Sequence, residues 1–179
     1  MVLILTGMPA SGKSSIGKLL SLELKYLYID LDKYIEKKTK TKIADIFSKK
    51  GEAFFRKIEH WCLKKILIEN PKDMIFSLGG GTFINKINQD MCLKSGIVVW
   101  INTDLTIIYE RVKNSNTRPL LNNSGSSSLQ GEDLKIKLNI LLQSRITSYN
   151  KAHLTINIHN NHIKQACAKI LQLIKTHNF

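Results

Sequence analysis

The run GMPASGKSS, residues 7–15, fits the spacing G-x-x-x-x-G-K-[ST] and follows directly on the apolar stretch VLIL at 2–5. A loop of this spacing curls so that successive backbone N–H groups point at phosphate oxygens, and Gly7 and Gly12 permit the curl. Lys13 is placed to reach the β- and γ-phosphates of a nucleoside triphosphate, and Ser14 to ligate Mg²⁺. Pro9, Ala10, Ser11 and Ser15 complete the loop. The helix that starts here adds the positive end of its dipole. Kinases, motors, switches and plain binding modules all use such a loop. The rest of the chain has to name the acceptor.

Magnesium in such folds draws on a carboxylate at a strand end. The apolar runs MIFSL (74–78) and IVVWI (97–101) end without an aspartate, which leaves Asp30 and Asp32 of YIDLDKY. Two acids one residue apart can serve a metal and a substrate hydroxyl; the alternative is a helix N-cap and a surface charge. In GEAFFRKIE, Arg56 and Glu59 stand at i, i+3, where the glutamate can hold the guanidinium, or the two form a solvated ion pair. Gly79, Gly80 and Gly81 follow a buried run directly. Three glycines are costly in chain entropy and suit a backbone that a ligand approaches closely. Arginine is scarce: Arg56, Arg111, Arg118 and Arg145 are the only four among 27 basic residues. Its two-pronged donor geometry fits carboxylates and phosphates as a lysine point charge does not. The four are therefore candidate anion ligands.

These groups need elements to position them. VLIL reads as a buried strand, followed by the loop and a helix over about 13–25. A second strand over 27–30 ends on Asp30, and helical sequence covers about 33–50 with a break at Gly51. The next helical run ends before Pro71, and strands over 74–78, 97–101 and 154–158 are each followed by a helical stretch. Apolar strands separated by helices argue for a parallel sheet covered on both faces, a doubly wound α/β domain. In such sheets ligands gather outside the C-terminal strand ends. The segment NNSGSSSLQG (122–131) has no apolar face and reads as an excursion over the site, with a disordered surface insertion as the alternative. A linker fits less well, since the remainder still has to give a strand and a helix to the same sheet.

A chain of 179 residues is expected to form one compact domain. No apolar run approaches a membrane span, and no basic stretch precedes VLIL as a signal peptide requires. Cys62, Cys92 and Cys167 are odd in number and far apart, forming neither a disulfide framework nor a zinc site. They point to the cytoplasm. The net charge of +13 comes from 23 lysines in a chain also heavy in Asn and Ile, as an AT-rich genome produces. No basic stretch interleaved with aromatics suggests RNA binding, so neither nucleic acid nor a membrane is expected as a partner. Any functional share of the charge is expected to be simple attraction of anionic ligands.

Taken together, GMPASGKSS, the Asp30/Asp32 pair, IADIFSKKGEAFFRKIE, SLGGG, TRPLL and SRITSYNKA resemble shikimate kinase in order and spacing over almost the full length. The resemblance implies a P-loop NTPase fold, a five-stranded parallel sheet of order 2-3-1-4-5 flanked by helices, with a lid at about 115–133. It implies transfer of the γ-phosphoryl of ATP to the 3-hydroxyl of shikimate, in aromatic amino-acid biosynthesis, by a monomer using one Mg²⁺. Arg56 and Arg145 match the arginines that bind the shikimate carboxylate, and Asp32 the acid that contacts the ring hydroxyls. Asp30 matches the acid that supports Mg²⁺ with Ser14. Gly79, Gly80 and Gly81 match the turn lining the substrate pocket, Arg118 a lid arginine on the phosphates, and Arg111 a residue packed on the adenine. The chain departs from the family in a longer stretch between Arg118 and Arg145, and in HNNH (159–162) where a proline often stands near the adenine. The rival readings are a kinase of another small hydroxylated acid and a non-catalytic ATP- or nucleic-acid-binding module.

Overall fold

Short apolar runs alternate with helical runs, and the chain gathers the strands into one sheet. The structure, a computed structural model, describes residues 1–69, 72–113, 131–160 and 162–176. In chain order the elements are β1 (Val2–Thr6), α1 (Lys13–Leu24), β2 (Leu27–Asp30), α2 (Leu31–Thr39), α3 (Ile43–Glu69) and β3 (Met74–Ser77). A 3₁₀ turn at Thr82–Ile84 leads to α4 (Lys86–Ser95), β4 (Ile97–Thr103) and α5 (Leu105–Val112). Then come α6 (Gly131–Tyr149), β5 (Leu154–Ile158) and α7 (Ile163–Thr176). The strand order is β2-β3-β1-β4-β5, and every pairing is parallel. This is the P-loop order that the resemblance implies.

Successive strand side chains leave on opposite faces, which builds two cores. On one face Ile4, Phe76, Val98 and Trp100 pack with Ile35, Leu63, Ile66 and Leu138 from α2, α3 and α6. On the other, Leu3, Leu5, Ile75, Val99 and Ile156 pack with Ile16 and Leu20 of α1 and Cys167 and Ile170 of α7. Burial on both faces is why the central strands are apolar throughout. With β1 central, its C-terminal end delivers the phosphate loop to the middle of the sheet edge.

The helix expected over 33–50 is in fact two. Lys40 takes a left-handed φ of 51° and ends α2, while the Glu36 carboxylate accepts from the Ile43 amide at 3.1 Å and caps α3. Thr39 Oγ1 donates back to the Ile35 carbonyl at 2.9 Å. No glycine or proline marks this junction, so periodicity ran through it. The break expected at Gly51 is a kink inside α3, with φ 79° and ψ 170°.

That conformation is close to glycine-only, and a Cβ at Gly51 would meet nothing within 4 Å, so only backbone strain opposes a side chain. Gly51→Ala is expected to lower the unfolding free energy by about 1–3 kcal/mol. Guanidinium denaturation checks this, and an unchanged midpoint would refute a kink that requires glycine.

Candidate active site

The loop after β1 takes positive φ at Gly7 (141°), Ala10 (62°) and Gly12 (99°). At Ala10, unlike the two glycines, the conformation has to be held in place. The Arg111 guanidinium on α5 does so by donating to the Ala10 carbonyl at 2.8 Å. Lys13 Nζ donates to the Gly7 and Met8 carbonyls at 3.0 and 2.8 Å, and Thr103 at the end of β4 donates to the Ser11 carbonyl at 2.8 Å. Lys13 is buried against the loop it serves. Arg111 lies 3.4 Å from where a Gly12 Cβ would stand, and burial lowers its pKa from the usual arginine range.

Ser14 Oγ donates to Asp30 Oδ2 at 2.8 Å across the start of α1 and the end of β2. Asp30 Oδ1 accepts from the Lys33 amide at 3.2 Å and so caps α2. The carboxylate therefore caps a helix and faces the loop at once. A hydroxyl and a carboxylate oxygen beside the phosphate loop form the hard oxygen donor set that Mg²⁺ takes together with phosphate and water, so these residues fit the ion. Asp32, in the first turn of α2, lies elsewhere: a Cβ on Gly79 would stand 2.8 Å from its Oδ1. The adjacent acids thus face different parts of one cleft.

That cleft has a volume of about 1030 Å³ and reaches from Lys13 and Ser14 past Asp30 and Asp32 to Arg56 and the glycine turn. Glu59, 1% exposed, accepts from Arg56 Nη1 at 2.8 Å and from Thr82 Oγ1 at 2.7 Å. Glu52 takes the other edge of the guanidinium at 2.9 and 3.2 Å. Burial works against the charge on Arg56, but Glu59 and Glu52 outweigh it and hold the pKa above the usual arginine value. The pair is thus no solvated surface contact. Phe47 and Phe55, with ring centroids 4.7 Å apart, give this end an apolar wall.

Arg145 is buried on α6 and donates from Nη1 to the Gly80 carbonyl at 2.9 Å; the Tyr149 hydroxyl donates to the same oxygen at 2.7 Å. No carboxylate pairs with Arg145 among the described residues. Arg145 is not among the residues that line the cleft; it stands one glycine away from it. Tyr149 escaped the sequence reading, although its place four residues after Arg145 on a helix was available as a signal. Burial pushes its phenol up to about 12. Thr82 and Thr103, which hold Glu59 and the loop, carried no motif at all. Arg118 and most of the lid expected over 115–133 lie outside the described residues; positions 131–133 open α6. His159 Nδ1 sits 3.0 Å from Asp104.

The family model described as shikimate kinase matches residues 9–175. The chain belongs to the shikimate kinase family. Curated relatives agree: it is 35% identical over 171 residues to the shikimate kinase of Sulfurihydrogenibium sp., covering 96% of each chain. It is 37% identical over 173 residues to that of Rippkaea orientalis, covering 96% of this chain and 87% of the relative. Among solved structures, the shikimate kinase of Acinetobacter baumannii in complex with shikimate superposes with a TM-score of 0.88 at 32% identity, covering 98% and 93% of the two chains. As a member of this family the chain is an ATP-dependent kinase.

The glycine turn packs directly on the Arg56 guanidinium. A Cβ on Gly81 would stand 2.6 Å from Arg56 Nη2. Gly81→Ala is expected to push the guanidinium aside and raise the acceptor KM by on the order of tenfold, leaving ADP affinity unchanged. Steady-state kinetics with ADP titration reads both; an unchanged acceptor KM would show that Arg56 does not bind the acceptor.

Proposed function

We propose that this cleft transfers the γ-phosphoryl of ATP to the 3-hydroxyl of shikimate, giving shikimate 3-phosphate and ADP for aromatic amino-acid synthesis. The observation that carries this reading is the assembly of Lys13, the Ser14–Asp30 pair, Asp32 and the Arg56–Glu59 pair in one cleft of a shikimate kinase fold. The complex with shikimate is that of the Acinetobacter relative; here it supports the choice of acceptor.

Phosphoryl transfer needs positioning and charge neutralisation more than covalent help. The loop amides of residues 7–15 hold the phosphates, and Lys13 leaves the Gly7 and Met8 carbonyls to follow the transferring group. Mg²⁺, when bound, would supply positive charge against the phosphates. Ser14 would ligate it and Asp30 would support it. Arg56, held charged and in plane by two glutamates, takes the shikimate carboxylate together with Arg145. The Arg145 guanidinium uses one nitrogen on Gly80 and has others for the ligand. Asp32 orients the attacking hydroxyl. Gly79, Gly80 and Gly81 let the ring approach the backbone, while Arg111 backs the loop beside the adenine. Arg118 and a lid over 115–133 complete the reading by covering the phosphates and excluding water. The chain works as a single domain and a monomer in the cytoplasm, where its three buried thiols stay reduced. No described helix is long and apolar enough to cross a membrane.

ADP release with Mg-ATP, with and without shikimate and against quinate and gluconate, tests the reaction. Saturable stimulation by shikimate alone is expected; stimulation by another acid would reassign the acceptor, and none by any acid would overturn the kinase. Lys13→Ala is expected to cut kcat by about 10²–10³. Arg145→Lys is expected to raise the shikimate KM about tenfold with little effect on ATP, through loss of the two-pronged contact. Wild-type kinetics in either variant would remove that residue's role.

A further inference from the structure

The Tyr28 hydroxyl has no part in the roles above, yet it ends on the carboxylate that the magnesium reading needs. Tyr28 and Asp30 stand two apart on β2, so their side chains leave the strand on the same face, toward α1. The Tyr28 hydroxyl donates to Asp30 Oδ2 at 3.2 Å, the same oxygen that accepts from Ser14 Oγ at 2.8 Å. Oδ1 is meanwhile held by the Lys33 amide at 3.2 Å.

Helix α1 is shaped for this ring. Gly17 stands one turn after Ser14 on the same helix face. A Cβ at Gly17 would come within 2.6 Å of Tyr28 Cε2, and within 3.3 Å of Leu5 Cδ1. The turn of helix that presents the Ser14 hydroxyl thus also makes the slot for the ring. A phenol hydroxyl is a hydrogen-bond donor suited to a carboxylate acceptor.

A terminal carboxylate rotates in a broad, shallow well. The helix cap holds Oδ1 but leaves the direction of Oδ2 to its own partners. Moreover β2 is an edge strand of four residues, and among the described residues β3 is the one strand paired with it. We infer that Tyr28 is a positioning residue for phosphoryl transfer, its hydroxyl holding the Asp30 carboxylate on Ser14 and so setting the geometry of the magnesium donor pair. The inference rests on the reading of Ser14 and Asp30 as that pair. A phenylalanine would fill the same slot beside Gly17 and leave Oδ2 to Ser14 alone, which separates the hydroxyl's role from the ring's.

The test is ADP affinity by titration calorimetry, in Mg²⁺ and in EDTA, for the wild type and Tyr28→Phe, with thermal midpoints alongside. The wild type is expected to bind ADP more tightly in Mg²⁺. In Tyr28→Phe the Mg²⁺-to-EDTA ratio is expected to shrink about three- to tenfold, the net size of one ordinary intramolecular hydrogen bond. Affinity in EDTA and the thermal midpoint should stay as in the wild type. In an Asp30→Asn background Tyr28→Phe should cause no further loss. An unchanged ratio overturns the inference, as does an equal loss in both media, which marks plain packing. If the wild type itself shows no Mg²⁺ dependence, the metal reading fails first and this inference falls with it.

Discussion

A loop that turns its amides toward a ligand leaves its carbonyls in need of donors elsewhere. In this chain three residues from three elements meet that need. Lys13 at the head of α1 holds the Gly7 and Met8 carbonyls, Arg111 on α5 the Ala10 carbonyl, and Thr103 at the end of β4 the Ser11 carbonyl. The loop is therefore only as rigid as the sheet and helices that carry those donors. Buried polar backbone without partners costs on the order of 1–3 kcal/mol per group, so the arrangement is enforced by energy as well as by shape. The same constraint explains the backbone at Ala10. Its φ of 62° is unfavourable for a side-chain-bearing residue, and the Arg111 contact to its carbonyl opposes relaxation.

The Arg56 end of the cleft is joined to this loop by close packing at three consecutive glycines. Each meets a different functional group: Gly79 the Asp32 carboxylate, Gly80 the Pro9 ring of the phosphate loop, and Gly81 the Arg56 guanidinium. The turn is the common wall of the phosphate-loop end and the Arg56 end of the cleft, and no side chain fits there without displacing one of these groups. From α6, Arg145 and Tyr149 fix the Gly80 carbonyl, while Trp100 on β4 stacks on Tyr149 at a ring separation of 5.6 Å. Atoms set by four separate chain segments thus meet within one turn.

Charge is arranged in the same spirit. Arg56 is shared by an exposed and a buried glutamate, so its guanidinium is oriented before any ligand arrives. Glu59, nearly inaccessible, is acceptable inside because Arg56 and Thr82 each take one of its oxygens. Asp30 likewise divides its two oxygens between a helix cap and the phosphate-loop side. Arg56, Glu59 and Asp30 each have more than one partner, which turns a solvation cost into orientation.

Much of this was legible in the chain itself. The strand–helix rhythm determined a parallel sheet, because strands buried on both faces must be apolar throughout, and the spacing at 7–15 determined the phosphate loop, because only certain backbones curl so tightly. Gly51 announced its kink, and the scarcity of arginine singled out Arg56 and Arg111, which line the cleft, and Arg145, which stands beside it. Periodicity failed at Lys40, where Glu36 supplies the cap across seven residues, a contact invisible to a 3.6-residue pattern. The functions of Thr82, Thr103 and Tyr149 were equally hidden, since a common hydroxyl becomes a site component only when the fold brings it to one carbonyl or carboxylate. For DLD the sequence left a choice between metal support and a helix cap, and the tertiary structure showed that Asp30 makes the cap and faces Ser14 as well. Residue type sets what a side chain can do, and that was readable in one dimension. Which partner it meets depends on the crossing of distant elements, and only the folded sheet decided that.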